Sequence, residues 1–562
     1  MSKIKIGLIV DDFFVSKQIY ELVLFSKSSK CYEISHLIIQ KTENRYSKNF
    51  IGKIFKYIYK RGIKKFLENV CFLILFHLEK FFTKKIYPQF QTIFDTYNLN
   101  DFSLKHLYVE PNFSKSTLVY RYKDKDLKII KSLGLNLLVR GGSGILRGEI
   151  LEICKNGVIS SHLADNNINR GGPVGFWEVF KKEKRTGFII QRLNEELDGG
   201  EVLFKGYIPT SFYYTLNLAM IYTKSNPFLH KTIEKIITTP SEIKTYPKKK
   251  YVHALYSSPS LYTQIKYLIS TLTILFQKII RKLTKKSYRW GVAYQFVDNW
   301  KNISLLSNSK KIPNPSNCFL ADPFIWRKDD VYYCFVEKYN YLKKKGCISV
   351  FKITKNNCIE IGTALEENFH LSYPFLFSYE NELYMCPETH EAKDIRLYKC
   401  TEFPLKWELS KILMSGISAA DTNIFEKYGK WWLMTNICSS NLSEHSSELH
   451  IYSSEQLLSS DWRPNKNNPV LFDPFKARNG GLIIEDENIY RIGQKQGFDF
   501  YGESMKLSKI TKLKEDEYEE KTLFEIEPRF FKKIEGTHTF NFKDGLSVID
   551  FVKVDRHEVF SK

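Results

Sequence analysis

Between residues 321 and 541 one short pattern recurs five times, and a chain built on such a repeat folds as similar units in succession. The units begin Ala321-Asp322-Pro323-Phe324, Ser372-Tyr373-Pro374-Phe375, Ala420-Asp421-Thr422-Asn423, Ala477-Arg478-Asn479-Gly480 and Thr537-His538-Thr539-Phe540, at intervals of 51, 48, 57 and 60 residues. Spacings of this size suit the blades of a propeller. After each start comes a polar turn and a second apolar, aromatic run, at 331–336, 382–386, 430–434, 488–492 and 546–549, which predicts one β-hairpin per unit.

The polar residues of these hairpins keep regular offsets. Glu337 follows Asp322 by 15 residues, Glu388 follows Tyr373 by 15, Asn436 follows Asp421 by 15, Gln494 follows Arg478 by 16 and Asp550 follows His538 by 12. An antiparallel hairpin sets the start of its first strand beside the end of its second, so each pair is expected at one end of its unit. In a radial arrangement the ten residues would converge on one mouth of a central channel, as candidate substrate contacts.

The stretch from 295 to 555 resembles the five-bladed propeller in the N-terminal part of plant glucosamine inositolphosphorylceramide transferases, similar in architecture to glycoside hydrolase propellers. Ala321-Asp322-Pro323-Phe324, His370-Leu371-Ser372-Tyr373-Pro374-Phe375, Pro387-Glu388-Thr389, Asp421-Thr422 and Gly536-Thr537-His538-Thr539 carry the likeness. Asp322, Glu388 and Asp421 would supply an acid and a base if two of them flanked a scissile glycosidic bond. The alternative is that they hold turns or sugar hydroxyls.

The first half has a different character. Residues 3–10 form a short apolar run followed by Asp11-Asp12 and an amphipathic stretch, the opening of a βα unit, and 135–139 is a second buried-strand candidate leading into Gly141-Gly142-Ser143-Gly144-Ile145-Leu146. Further on stand His162, Arg170-Gly171-Gly172-Pro173, Trp177, Thr186-Gly187 and Asp198-Gly199-Gly200. In that order they resemble the active-site half of the 10-formyltetrahydrofolate-dependent formyltransferases. Ser160 stands where that family has asparagine, and 163–167 replace its usual proline-containing run. The resemblance implies a Rossmann-like α/β formyltransferase domain, with His162 stabilising an oxyanion and moving protons, Asp198 orienting it and Ser160 donating beside it. Gly141, Gly142, Ile145, Leu146 and Leu197 would hold the folate.

The expected fold is thus an α/β domain over 1–215 with a basic helical insertion at about 45–90, a linker over 216–294, and an all-β five-bladed propeller over 295–562. Within the linker, 261–286 reads as an amphipathic helix with Ile265, Leu268, Ile269, Leu272, Leu275, Phe276, Ile279 and Leu283 on one side and Lys266, Lys278, Arg281, Lys282, Lys285 and Lys286 on the other. This helix and the basic apolar stretch at 51–85 are candidates for lying on an anionic inner-membrane surface; packing between domains is the alternative.

The net charge of +22 accompanies heavy lysine use along the whole chain, and no nucleic-acid motif accompanies it, so a nucleic-acid partner is not expected. The ten cysteines include no Cys-x-x-Cys pair, so neither a metal nor disulfides are expected, and the first residues enter a strand directly; both features point to the cytoplasm, at its membrane face if the helices bind lipid. The functional expectation is transfer of a formyl group from 10-formyltetrahydrofolate to a nucleotide- or lipid-linked amino sugar in surface-polysaccharide assembly. The alternative is a glycan-processing, glycosyl-transferring or glycan-binding protein acting through the propeller.

Overall fold

The computed structural model describes residues 3–41, 58–59, 62–243, 245–440, 442 and 444–556. Much of the expected insertion, at 45–57 and 60–61, lies outside the described residues. The chain divides into two compact units, Met1–Thr273 and Ile274–Lys562.

The first unit is built on a seven-stranded sheet in the order Glu201–Pro209, Arg185–Arg192, Val158–His162, Leu137–Arg140, Ile4–Val10, Tyr32–Gln40, Lys105–Val109. Five of these strands run parallel and the pair Arg185–Arg192 and Glu201–Pro209 completes one edge antiparallel. The strands bury near-continuous apolar runs, among them Ile6, Leu8, Ile9, Leu37, Ile38, Leu137, Leu138 and Ile159, as parallel sheets covered on both faces require. The expected domain end at 215 falls at the start of a 25-residue helix, Tyr214–Thr238, which buries Leu216, Leu218, Ile221, Phe228, Leu229 and Ile233 in this unit. That length of apolar face needs a sheet to cover it, which is why the segment is structural rather than connecting.

Among its described residues the second unit contains five antiparallel sheets. Four of them are successive in sequence, spanning Cys318–Leu365, Ser372–Ser415, Ala419–Pro464 and Asn479–Ile526. The fifth pairs the unit's opening strand, Lys286–Phe296, with its last, Leu546–Arg556, across eleven register positions. Among the described residues each sheet is an open run of strands and none closes on itself. The far halves of the five repeat-opening strands, at Phe324–Trp326, Phe375–Ser378, Ile424–Glu426, Leu482–Asp486 and Asn541–Asp544, line one cavity of about 570 Å³.

Candidate functional site

The hairpin register follows the offsets read from the sequence. Ala321 pairs with Glu337, Ser372 with Glu388 and Ala420 with Asn436. Immediately after each pair the strand bulges, and the residue in the bulge adopts a left-handed conformation: Asp322 at φ 48°, Tyr373 at 46° and Asp421 at 49°. A bulge re-aims one side chain out of the two-residue alternation of a strand. A bulky residue such as Tyr373 is held there only when its surroundings over-determine it; it is fully buried and its hydroxyl donates to Asn423 Oδ1 at 2.9 Å.

These bulges open a cluster that includes all ten sequence-predicted residues of this half. Arg478 Nε donates to Asp421 Oδ2 at 2.6 Å, and its Nη2 reaches Asp421 Oδ1 at 3.4 Å and Glu388 Oε2 at 3.3 Å. Gln494 Nε2 donates to the same Asp421 oxygen at 3.0 Å. Asn436 fixes the neighbouring backbone, donating to the Ala477 carbonyl and accepting from the Asn479 amide. Beside it, Asp322 accepts from Thr539 Oγ1 at 2.6 Å, and His538 lies between two carboxylates, with Nδ1 2.6 Å from Asp550 Oδ2 and Nε2 3.4 Å from Asp322 Oδ1. Glu337 sits 3.6 Å from His370.

The electrostatics separate these groups. Burial pushes Asp421 well above its ordinary value, with Arg478 opposing, and burial together with the Asp322 and Glu388 charges raises Glu337. Glu388 is buried as well, but its hydrogen bond to His390 and the Arg478 charge outweigh desolvation and hold it far below the carboxylate range. His390, 2.7 Å from Glu388 Oε1, is raised in return by that hydrogen bond. For His538 desolvation works against the charged form, yet Asp550 and Asp322 win and raise it. Carboxyls whose environments push their pKa values apart are the arrangement that provides an acid and a base side by side.

Four participants escaped sequence reading. His390 caps Glu388 from two residues away, and the run Glu388-Thr389-His390 is the signal that could have found it. Tyr501 lies over the Arg478 guanidinium at 4.9 Å, and Trp290 packs on the His538 ring with centroids 4.0 Å apart. Thr539, noted only as part of a motif, holds Asp322. Tyr501, His390 and Arg478 retain exposure while the carboxylates beneath them are buried, so the cluster presents an aromatic and cationic rim over an acidic floor.

In the first unit the chain does bring His162 and Asp198 together, with His162 Nδ1 3.6 Å from Asp198 Oδ1. Each side chain also has a backbone partner. His162 Nε2 lies 3.0 Å from the Asn169 carbonyl, and Asp198 Oδ2 accepts from the Gly171 amide at 3.0 Å. Ser160 is buried and its hydroxyl turns to the Ser161 carbonyl. At the crevice expected to hold folate, Ser143 N donates to Asp11, Gln40 Nε2 bridges Asp11 and the Ser143 carbonyl, and Tyr122 caps Gln40. A Cβ on Gly142 would lie 2.7 Å from Gln40 Nε2, and one on Gly141 2.7 Å from Ile19 Cδ1. Ile145 and Leu146 pair with the strand Val119–Arg121, Leu146 in the core, and the Leu197 carbonyl accepts from Arg170.

Residues 284–545 match the family described as glucosamine inositolphosphorylceramide transferase 1, N-terminal. The chain is 39% identical over 211 residues to the glucosamine inositolphosphorylceramide transferase 1 of Oryza sativa subsp. japonica, and 37% identical over 211 residues to that of Arabidopsis thaliana. Each alignment covers 37% of this chain and 28% or 27% of the relative, so the chain spans just over a quarter of the curated relatives it matches. Solved structures related to it include glycinamide ribonucleotide transformylase 1 from Symbiobacterium toebii (11% identity, TM-score 0.28, 42% of this chain and 88% of that one). An exo-1,5-alpha-L-arabinanase from a bovine ruminal metagenomic library is another (9% identity, TM-score 0.28, 35% and 76%). The relatives that match by sequence are named as transferases of glucosamine inositolphosphorylceramide. That finding overturns the expected formyl transfer to an amino sugar and, with it, 10-formyltetrahydrofolate as co-substrate, the N-formyltransferase class and the assignment to surface-polysaccharide assembly. The roles that the formyltransferase resemblance gave His162, Asp198, Ser160 and the glycine loop lapse together with it. What stands is a likeness of residues 284–545 to the N-terminal part of glucosamine inositolphosphorylceramide transferases.

Proposed function

We propose that the second unit is a five-bladed propeller whose polar cluster is the carbohydrate site of a glycosyl-transferring enzyme, with the first unit as its scaffold. The observation that carries the reading is the buried set Asp322, Glu388 and Asp421 beneath Arg478 and Tyr501, inside the stretch similar to the transferases. Five sheets, a cavity shared by the five opening strands and the pairing of the first strand with the last support the propeller arrangement. Aromatic faces with convergent polar groups suit a sugar ring and its hydroxyls. Glu388, kept ionised, accepts the proton of the incoming hydroxyl as it attacks the anomeric carbon, and the donor's leaving group departs as the old C–O bond breaks. Asp421, kept protonated, is the neighbouring acid.

The relatives' names suggest the assay: the full chain is incubated with nucleotide-activated amino sugars and an inositol-phosphate sphingolipid, and glycosylated lipid is measured by mass spectrometry. Asp421→Asn and Glu388→Gln should each lower turnover about a hundredfold or more, while His162→Ala leaves it unchanged. A loss in His162→Ala with full activity in both carboxylate variants would refute the assignment. Saturation of Glu388 and Asp421 by Arg478, His390 and Gln494 favours a second reading, glycan binding without turnover. In that case the carboxylate variants lose sugar binding in calorimetry and no protein forms product.

A further inference from the structure

The helices Ile63–Ile86 and Leu261–Leu283 touch in the first unit, where Gln264 Nε2 donates to the Glu68 carbonyl at 2.8 Å and the Tyr267 hydroxyl donates to Glu79 Oε1 at 2.5 Å. Only a narrow inner face of Leu261–Leu283 is covered, its buried residues being Gln264 and Tyr267. Its apolar stripe faces solvent instead. Tyr262, Ile265, Ile269, Leu272, Phe276 and Ile279 recur at alternating three- and four-residue steps and are all more than half exposed. The other helix repeats the pattern with Ile63, Ile74, Leu78 and Phe81, each at least 55% exposed. A soluble surface rarely leaves so much contiguous apolar area uncovered unless it meets a partner.

The charges around the stripes select that partner. Leu261–Leu283 contains no acidic residue, and the two acids of Ile63–Ile86 are turned inward, Glu68 being buried and Glu79 held by Tyr267 and the Thr215 amide. The outward charges are cationic: Lys64 and Lys85 on one helix, Lys266, Arg281 and Lys282 on the other. Among the described residues Lys64, Lys266 and Lys282 have no carboxylate within ion-pairing distance. A second copy would place these cations against their own kind, whereas self-pairing helices flank their seams with opposite charges. No described helix is long and apolar enough to cross a membrane. We infer that the paired helices lie in the interface of an anionic bilayer, apolar stripes toward the acyl chains and lysines at the headgroups. The inference is independent of the carbohydrate site.

Full-length protein is sedimented with phosphatidylcholine vesicles with and without phosphatidylglycerol, at low and high salt. Binding is expected only with the anionic lipid and is expected to weaken with salt. Each cation removed should cost about fivefold in partitioning, so Lys266→Glu with Lys282→Glu loses about 25-fold or more. Ile269→Ser with Phe276→Ser should also lose binding at unchanged circular dichroism, because both side chains are exposed. No binding to anionic vesicles, or equal binding of wild type and both variants, overturns the inference. So does a dimer in sedimentation velocity that Ile269→Ser with Phe276→Ser dissolves, since a second copy would then cover the stripes.

Discussion

Replacing Arg478 by methionine keeps most of its volume and removes its charge, and the second unit should respond strongly. The guanidinium makes three contacts to Asp421 and Glu388, whose side chains are 2% and 6% exposed, and is itself 16% exposed. Removing one partner of a buried ion pair costs about 3–5 kcal/mol, because the other is left uncompensated in a poor solvent. Asp421 is held protonated by burial, so Glu388 is the charge left stranded and the lower end of that range applies. Seven of the eight tryptophans lie beyond residue 273, so tryptophan fluorescence in a urea titration reports this unit. The pH dependence gives a second signature. In the native protein Glu388 has a depressed pKa, so its contribution is present above the unfolded carboxylate value and is lost as pH falls through the folded one. In Arg478→Met burial acts on Glu388 without that counter-charge and raises its carboxyl. The variant's deficit should therefore be greatest at pH 8 and shrink toward pH 5 as the buried pair takes up a proton. Adding Glu388→Gln should restore part of the loss. A deficit under about 1 kcal/mol, or one equal at pH 5 and pH 8, would refute the argument that Arg478 is the counter-charge of the cluster.

Two further outcomes follow from the same physics. Glu79, raised to about 7 chiefly by burial, keeps its proton in the folded state where the unfolded carboxyl has lost it. The first unit should thus lose up to about 1.4 kcal/mol per pH unit between roughly pH 4.5 and 7, a slope that Glu79→Gln abolishes in hydrogen exchange of the helix Tyr214–Thr238. Arg491 and Glu520, both fully buried and joined by contacts of 2.8 and 2.9 Å, should show the asymmetry of buried pairs. Arg491→Met alone costs about 3–5 kcal/mol in the urea titration, and adding Glu520→Leu recovers most of it.

The repeat was legible because strand geometry writes itself into sequence spacing. An antiparallel hairpin with a fixed turn pairs residues at a constant offset, and Ala321 with Glu337, Ser372 with Glu388 and Ala420 with Asn436 keep it. What gathers the site is not periodic. The left-handed bulges at Asp322, Tyr373 and Asp421 break the two-residue alternation on which strand reading depends. Contacts between sheets join residues with no local relation: Arg478 is 57 positions from Asp421, and Asp322 is 217 from Thr539. Nor does any spacing announce that Tyr501 and Trp290 cover the cationic groups.

The first unit shows how most of a motif can be matched in order and still mislead about chemistry. Residues that keep their order and approach in space satisfy a pattern whether or not their reactive atoms are available. Asp198 occupies a left-handed backbone position at φ 49° and ties the Gly171 amide, while Arg170 runs from the Asn166 carbonyl to Glu196 and the Leu197 carbonyl. These bonds close the loop on itself. A buried arginine and a half-buried aspartate with backbone partners would be retained for that purpose alone, since removing either leaves polar groups of the loop without partners. With Nε2 of His162 turned to the Asn169 carbonyl, the imidazole belongs to the same closure. In the second unit Arg478 and His390 keep part of their surface open above the carboxylates they bind, and Tyr501 does so against Arg478. Asp198 keeps 18% of its side chain exposed and Arg478 16%, so the two clusters differ in partners more than in exposure: the first is tied to the backbone of its own loop, and the second joins side chains far apart in sequence.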